Sequence, residues 1–258
     1  MGLLRAVVLG LVQGITEFLP ISSTAHLRIV PALLGWPDPG AAFDAIIQLG
    51  TVAAVLVYFR GDIVRLFTAW VEGLRNKAPM GTTDSRLAWF VIVGTLPVVV
   101  LGFAFKHAIE TSLRSLWVIG LWQAVALIPG SSRSGTTLTG GLWRGLKRED
   151  AARYSFLLSI PATTAAGIFE LRHLLRAHVP FTGSELLVGG AVAFVSGMLA
   201  IGGLLRYLRT RTTAVFIVYR VALGLLLLGL LHSGRLQPDA GLEPPPAVAS
   251  APGASRRG

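Results

Sequence analysis

The chain has no cysteine. That excludes disulfides, thiolate metal centres and cysteine nucleophiles, and leaves the redox compartment open. Charge is also scarce. Asp, Glu, Lys and Arg make up 14% of the 258 residues, and acids are the rarer sign, 13 against 23 Lys and Arg. A soluble domain carries about 25% charged residues. The scarcity leaves long uncharged runs at residues 87–105 and 186–205, each near the roughly 20 residues that carry a helix across about 30 Å of hydrocarbon. Residues 45–59, 154–169 and 212–231 are further candidates, the last interrupted by Arg220. With 53% hydrophobic residues and a mean hydropathy of +0.65, the chain is expected to be an all-α polytopic membrane protein with about five full spans.

The net charge of +10 does not point to nucleic acid, because no soluble domain presents a basic face. Lys and Arg are instead expected in cytoplasmic loops and near anionic headgroups. The apolar run after Arg5 lacks a small-residue cleavage site, so it is expected to remain in place. Residues 234–258, rich in Pro, Ala, Gly and Ser, are expected to be a disordered tail behind a membrane domain of residues 1–233.

What the chain does hold is polar chemistry set inside apolar sequence, and it holds it twice. "GLVQGITEFLPISS" (10–23) and "GLWQAVALIPGSS" (120–132) both read G-L-x-Q, a short gap, then P-x-S-S. This divides the membrane domain into two repeats, about 1–114 and 115–233, each with a proline-broken or re-entrant helix–loop–helix. Short interrupted segments in matching places of two halves point to a site near the bilayer midplane. Non-helical backbone survives there only where it lines a protected or wet cavity. Pro20 and Pro129 break their helices and free backbone amides that can meet an anion.

Loop two, "PGSSRSGTT", offers Ser131, Ser132, Arg133, Ser134 and Thr136 between glycines. Arg supplies a fixed fork of donors for phosphate oxygens, and Gly130 and Gly135 permit close backbone approach. The loop is not a Walker motif. Loop one, "EFLPISSTAHLR", adds Glu17 as a metal ligand or proton carrier and His26 as general acid, general base or nucleophile. Ser22, Ser23 and Thr24 are candidate nucleophiles or phosphate ligands. An anion cradle beside a carboxylate, an imidazole and hydroxyls suits phosphoryl transfer, and the natural membrane substrate is a lipid with a phosphorylated head. A transporter or flippase of such a lipid or anion also suits broken helices, but does not require Glu17 and His26.

These stretches, with "FDAIIQLGTVAAVLVYF" and "REDAARYSFLLSIPA", resemble the integral-membrane undecaprenyl-diphosphate phosphatases of the bacitracin-resistance type, from about residue 5 to Arg220. The resemblance implies a bacterial cytoplasmic (inner) membrane enzyme, multi-pass, that hydrolyses undecaprenyl diphosphate to undecaprenyl phosphate and phosphate. That recycles the carrier lipid of cell-wall peptidoglycan synthesis and confers bacitracin resistance. It places the family's (E/Q)-x-x-x-E motif on Gln13 and Glu17, its essential histidine on His26, its phosphate-binding arginine on Arg133 and its proposed nucleophilic serine on Ser23. It implies a divalent cation, Mg2+ or Ca2+, near Glu17 and Gln13, with Ser131, Ser132, Ser134 and Thr24 helping to bind phosphate.

Three positions depart from the pattern. Gln13 removes one carboxylate and should weaken metal chelation. Ala25 stands where glycine usually precedes the histidine. Between the halves, the chain runs almost at once from "VVVLGFAFKHAIETSLRS" into the second motif, where relatives usually place a further span and polar loop; a non-catalytic homologue is the reading this motivates. Arg220, inside the last apolar run, is expected to pair with Asp44, Glu170 or freed carbonyls. His173, His178 and His232 carry no assigned function.

Basic residues alternate along the chain: five in 60–86, two in 106–114, four in 144–153, two in 172–176 and three in 206–211. That puts 60–86, 144–153 and 206–211 in the cytoplasm and requires residues 115–143 to cross once overall. The second motif is then expected on a broken crossing helix, or beside a segment that has shifted to compensate. Accessibility labelling at Glu110 and Glu149 should mark opposite faces; both on one face would defeat the crossing arrangement.

Overall fold

The computed structural model describes residues 2–103, 131–174 and 181–236. Nine helices and no strands occur among them: α1 Leu3–Phe18, α2 Ser23–Leu34, α3 Ala41–Tyr58, α4 Arg60–Arg75, α5 Thr83–Phe103, α6 Arg133–Trp143, α7 Arg148–Leu174, α8 Gly183–Thr210 and α9 Ala214–His232. Each apolar run falls on a helix. Two, α8 and α9, are long and apolar enough by themselves to cross a membrane, and α3 with α4 forms a third candidate bent by 71° at Phe59. The first limb of the second motif, through Gly130, and the tail from residue 237 lie outside the described residues, as do the boundary between the proposed repeats and Glu110.

Proline and glycine set the ends. Leu19, immediately before Pro20, is forced to extended backbone (φ −68°, ψ 139°) and α1 stops. Gly35 closes α2 in the left-handed region at φ 64°, with Trp36 N–H reaching back to Pro31 O at 2.9 Å. Thr182 and Glu185 cap α8 reciprocally. At 1.5 Å per residue, α1 and α2 measure about 24 and 18 Å, so neither alone crosses about 30 Å of hydrocarbon.

The bundle is organised by α8, which packs against both α1 and α3. Gly10 and Gly14 of α1 face Gly189, Ala193 and Ser196 of α8, while Gly50 of α3 faces Gly190. A methyl at Gly10 would lie 2.4 Å from Gly189 O, and one at Gly50 would lie 2.3 Å from Gly190 O. Small residues four apart are what let helix backbones touch in lipid, where packing rather than hydrophobicity drives association. Beside this seam lies a core of Phe18, Phe59, Phe156, Leu204 and Leu208, with Phe18 edge-on to Phe156 at 5.2 Å between centroids.

The seam also sets depth. α1 runs parallel to α8, Gly10 opposite Gly189 and Phe18 against Gly197, the midpoint of a 28-residue helix. The break after Phe18 therefore lies halfway along a spanning element. Near the other end of α8 the basic clusters gather: Arg153 binds Asp62 at 2.7 Å, Arg209 binds Glu149 at 3.0 Å, and Arg148 donates to Arg211 O at 3.2 Å. The clusters at 60–86, 144–153 and 206–211 thus share one face. No residue of α9 is buried; an apolar helix exposed all round is built for lipid.

Gly14→Leu would drive a side chain into Ser196 Oγ and Ala193 O, 1.9 and 2.6 Å from a Cβ at that position. It should lower stability by about 1–3 kcal/mol, roughly 2–10 °C in thermal unfolding in detergent. Gly224→Ala on α9, with nothing within 4 Å, should leave the transition in place.

Candidate active site

Five helices deliver side chains to the point where α1 breaks. Glu17, in the last turn of α1, is buried, and its carboxylate accepts four hydrogen bonds. Gln13 Nε2 donates to Oε2 at 3.1 Å from one turn back, and Ser23 Oγ, at the start of α2, donates to the same oxygen at 2.6 Å. Arg133 Nη2, at the start of α6, binds Oε1 at 2.5 Å, and Gln48 Nε2 of α3 donates there at 3.4 Å. The other arm of Arg133 reaches Ser159 O at 3.3 Å and Thr163 Oγ1 at 3.4 Å on α7. The guanidinium is thereby held between a carboxylate and a helix that carries Pro161 in its interior.

The two motifs meet through backbone as well. Ser134 Oγ donates to Leu19 O at 3.1 Å, a carbonyl that the proline break leaves outside the helix ladder. Ser22 and Ser132 occupy the same unusual conformation, φ 74°, ψ 96° and φ 65°, ψ 102°. Each caps the helix it precedes, Ser22 Oγ accepting from Ala25 N at 3.4 Å and Ser132 Oγ from Gly135 N at 3.3 Å. Positive φ in a serine costs energy and gathers at functional turns. The pairing differs by one residue from the P-x-S-S alignment, which sets Ser22 against Ser131. By cap geometry Ser22 answers to Ser132, and Ser23 to Arg133.

His26, in the first turns of α2, is 7% exposed and has its hydrogen-bond partners elsewhere than Glu17. Nδ1 lies 2.7 Å from Ser22 O, and Nε2 lies 2.7 Å from the Tyr219 hydroxyl of α9. Glu17 and His26 are bonded to consecutive residues of one turn, Ser23 and Ser22, rather than to each other. Thr24 is exposed on the first turn of α2. Ser131 Oγ is buried with no partner and lines a cavity of about 160 Å³ with Gly135, Thr136, Phe216 and Arg220. Arg220 thus stands at the wall of this cavity, the seventh residue of α9. Asp44 Oδ1 is buried without a hydrogen-bond partner, and the side chain of Glu170 lies outside the described residues. An apolar groove of about 380 Å³ between α1, α8 and α9, lined by Leu11, Ile15, Leu19 and Leu204, shares Phe216 with the cavity.

Gln48, Thr163 and Tyr219 belong to the site but escape motif reading. Their signal is a lone polar group in an apolar run, weaker than the clustered motifs. Among the described residues no three His, Asp or Glu side chains converge on a metal position. The chemistry of the set around Glu17 still fits a hard cation: one carboxylate, one hydroxyl and two carboxamides able to turn their oxygens inward.

A guanidinium, a helix N-terminus and hydroxyls gathered around a buried carboxylate form a polar site inside an all-helical bundle with helices apolar enough to cross a membrane. The chain belongs to the bacitracin resistance protein BacA family, whose sequence profile matches residues 6–121 and 110–226. It is 60% identical to an undecaprenyl-diphosphatase of Myxococcus xanthus (strain DK1622), over 94% of either chain. It is 48% identical to one of Chlorobaculum tepidum and 47% identical to one of Prosthecochloris aestuarii, over 92% of this chain and the full length of each relative. The Myxococcus alignment runs to 278 positions, whereas 94% of 258 residues is about 243, so some 35 positions of that relative have no counterpart here. That is enough for one span and a loop. The two profile matches overlap at 110–121. The two loops meet across that stretch, since Arg133 reaches Glu17 and Ser134 reaches Leu19.

Arg133→Ala leaves a buried carboxylate without its countercharge and should cost about 3 kcal/mol or more. Glu17→Gln in the same chain should recover most of that loss in thermal unfolding; losses that simply add would show the two groups to be uncoupled.

Proposed function

We propose that the protein hydrolyses undecaprenyl diphosphate to undecaprenyl phosphate and inorganic phosphate, as a multi-pass enzyme of the bacterial cytoplasmic (inner) membrane with about five full spans in two repeats. The observation that carries this reading is the 2.6 Å bond from Ser23 Oγ to Glu17 Oε2 beside Arg133. A hydroxyl aimed at a carboxylate, next to a phosphate-binding fork, is a nucleophile with its base. Binding an anion for transport needs only the fork.

The reading runs as follows. The isoprenoid chain lies in the apolar groove, and the diphosphate enters where α2 and α6 begin. Arg133, Ser131, Ser132, Ser134 and Thr24 bind phosphate oxygens, displacing Glu17 from the guanidinium. Ser23 Oγ attacks the terminal phosphorus while its proton passes to Glu17. The anhydride bond breaks and undecaprenyl phosphate leaves as an anion. Water then cleaves the phosphoserine, with His26 as the second proton carrier. Glu17, with Gln13 and Gln48, would hold Mg2+ or Ca2+, which offsets phosphate charge when bound; one carboxylate makes that site weak. The ion pairs that unite the three basic clusters support their sharing the cytoplasmic face.

Phosphate release from a pure polyprenyl diphosphate in detergent tests the activity. Arg133→Ala, His26→Ala and Ser23→Ala should each lower kcat/KM by about 10²-fold or more, and chelation should abolish turnover until Mg2+ or Ca2+ is restored. A phospho-enzyme trapped by acid quench should map to Ser23; a label on another residue would remove Ser23 from the role.

A further inference from the structure

The last helix has little reason, by packing, to stay where it is. None of its 19 residues is buried, yet it sends Tyr219 to the histidine of loop one. The hydroxyl lies 2.7 Å from His26 Nε2, and the two rings are nearly parallel, 13° apart with centroids at 5.7 Å. The other ring nitrogen settles the tautomer. Nδ1 faces Ser22 O at 2.7 Å, and a carbonyl only accepts, so Nδ1 carries the hydrogen. In the neutral ring, Nε2 is then the lone pair and the Tyr219 hydroxyl donates into it. His26 is 7% exposed and Tyr219 41%, so the phenol stands on the open side of the one basic nitrogen. The same helix presents Thr213, Phe216, Ile217 and Arg220 to the cavity that holds Ser131.

We propose that Tyr219 is a positioning residue for the hydrolysis. Its hydroxyl fixes the plane of the His26 ring by holding the Nε2 lone pair, and the same helix lines the cavity of Ser131 through Phe216 and Arg220, so that α9 is a working wall of the site. This rests on His26 serving the reaction proposed above. When a proton arrives at Nε2, the N–H donates back to the phenol oxygen, so the hydroxyl keeps the ring in place in both protonation states and no phenolate forms.

Tyr219→Phe keeps the ring contact and removes only the hydroxyl. It should lower kcat for phosphate release roughly tenfold while KM stays within about twofold, a smaller loss than the 10²–10⁴ of a lost acid–base group. In a His26→Ala background the same change should cost nothing further, because the group it positions is gone. Equal losses in both backgrounds would mark Tyr219 as merely structural, and a fully active Tyr219→Phe beside an inactive His26→Ala would overturn the proposal while leaving the phosphatase reading intact. An unimpaired His26→Ala would overturn the proposal and the part given to His26, and would leave the hydrolysis itself standing. Diethyl pyrocarbonate acylation gives a readout independent of turnover. Peptide mapping should show His26 modified several-fold faster in Tyr219→Phe than in the parent chain, and an unchanged rate would overturn the assignment.

Discussion

Glu17 and Arg133 hold each other across 116 residues of sequence at 2.5 Å. A carboxylate and a guanidinium removed from water cannot be assembled by halves. Either alone carries a large desolvation cost, and together they require every remaining polar atom to be met. Here Gln13, Ser23 and Gln48 meet the carboxylate, and Ser159 and Thr163 meet the cation, whose side chain keeps 21% exposure. The same pair gives the resting guanidinium an anion from within the protein.

The helices were legible because lipid enforces a single rule, long uncharged runs, and each such run falls on a helix. The site was legible in its charged and hydroxyl-rich parts, Glu17, Ser23 and Arg133, because groups so costly at membrane depth have few other reasons to be there. What the sequence could not show was which way they turn. Glu17 and His26 stand in one loop, but Glu17 bonds to Arg133 and His26 to Tyr219. The P-x-S-S repeat was visible as letters, yet the caps align Ser22 with Ser132, a shift that depends on backbone φ and not on spacing. Gln48 and Tyr219 carried too little local pattern to be found before the fold brought them in.

A short connection between the motifs, as the sequence pattern leads one to expect, could undo the site if either loop depended on its immediate neighbours in sequence for position. Neither does. Loop one is set by α1 lying on α8, and loop two by Arg133 and Thr137 tied to Ser159, Thr163 and Ser155 of α7. Both anchors lie outside residues 110–121, where the two profile matches overlap.

The glycine seam carries this one step further. It joins α1 and α3, from the first part of the chain, to α8 from the last, through close backbone approaches such as Gly10 to Gly189 and Gly50 to Gly190. Complementarity of this kind belongs to the surfaces and not to the covalent connection. A polypeptide severed in the connector would therefore retain, in its two fragments, the shape by which they recognise each other and rebuild one active centre.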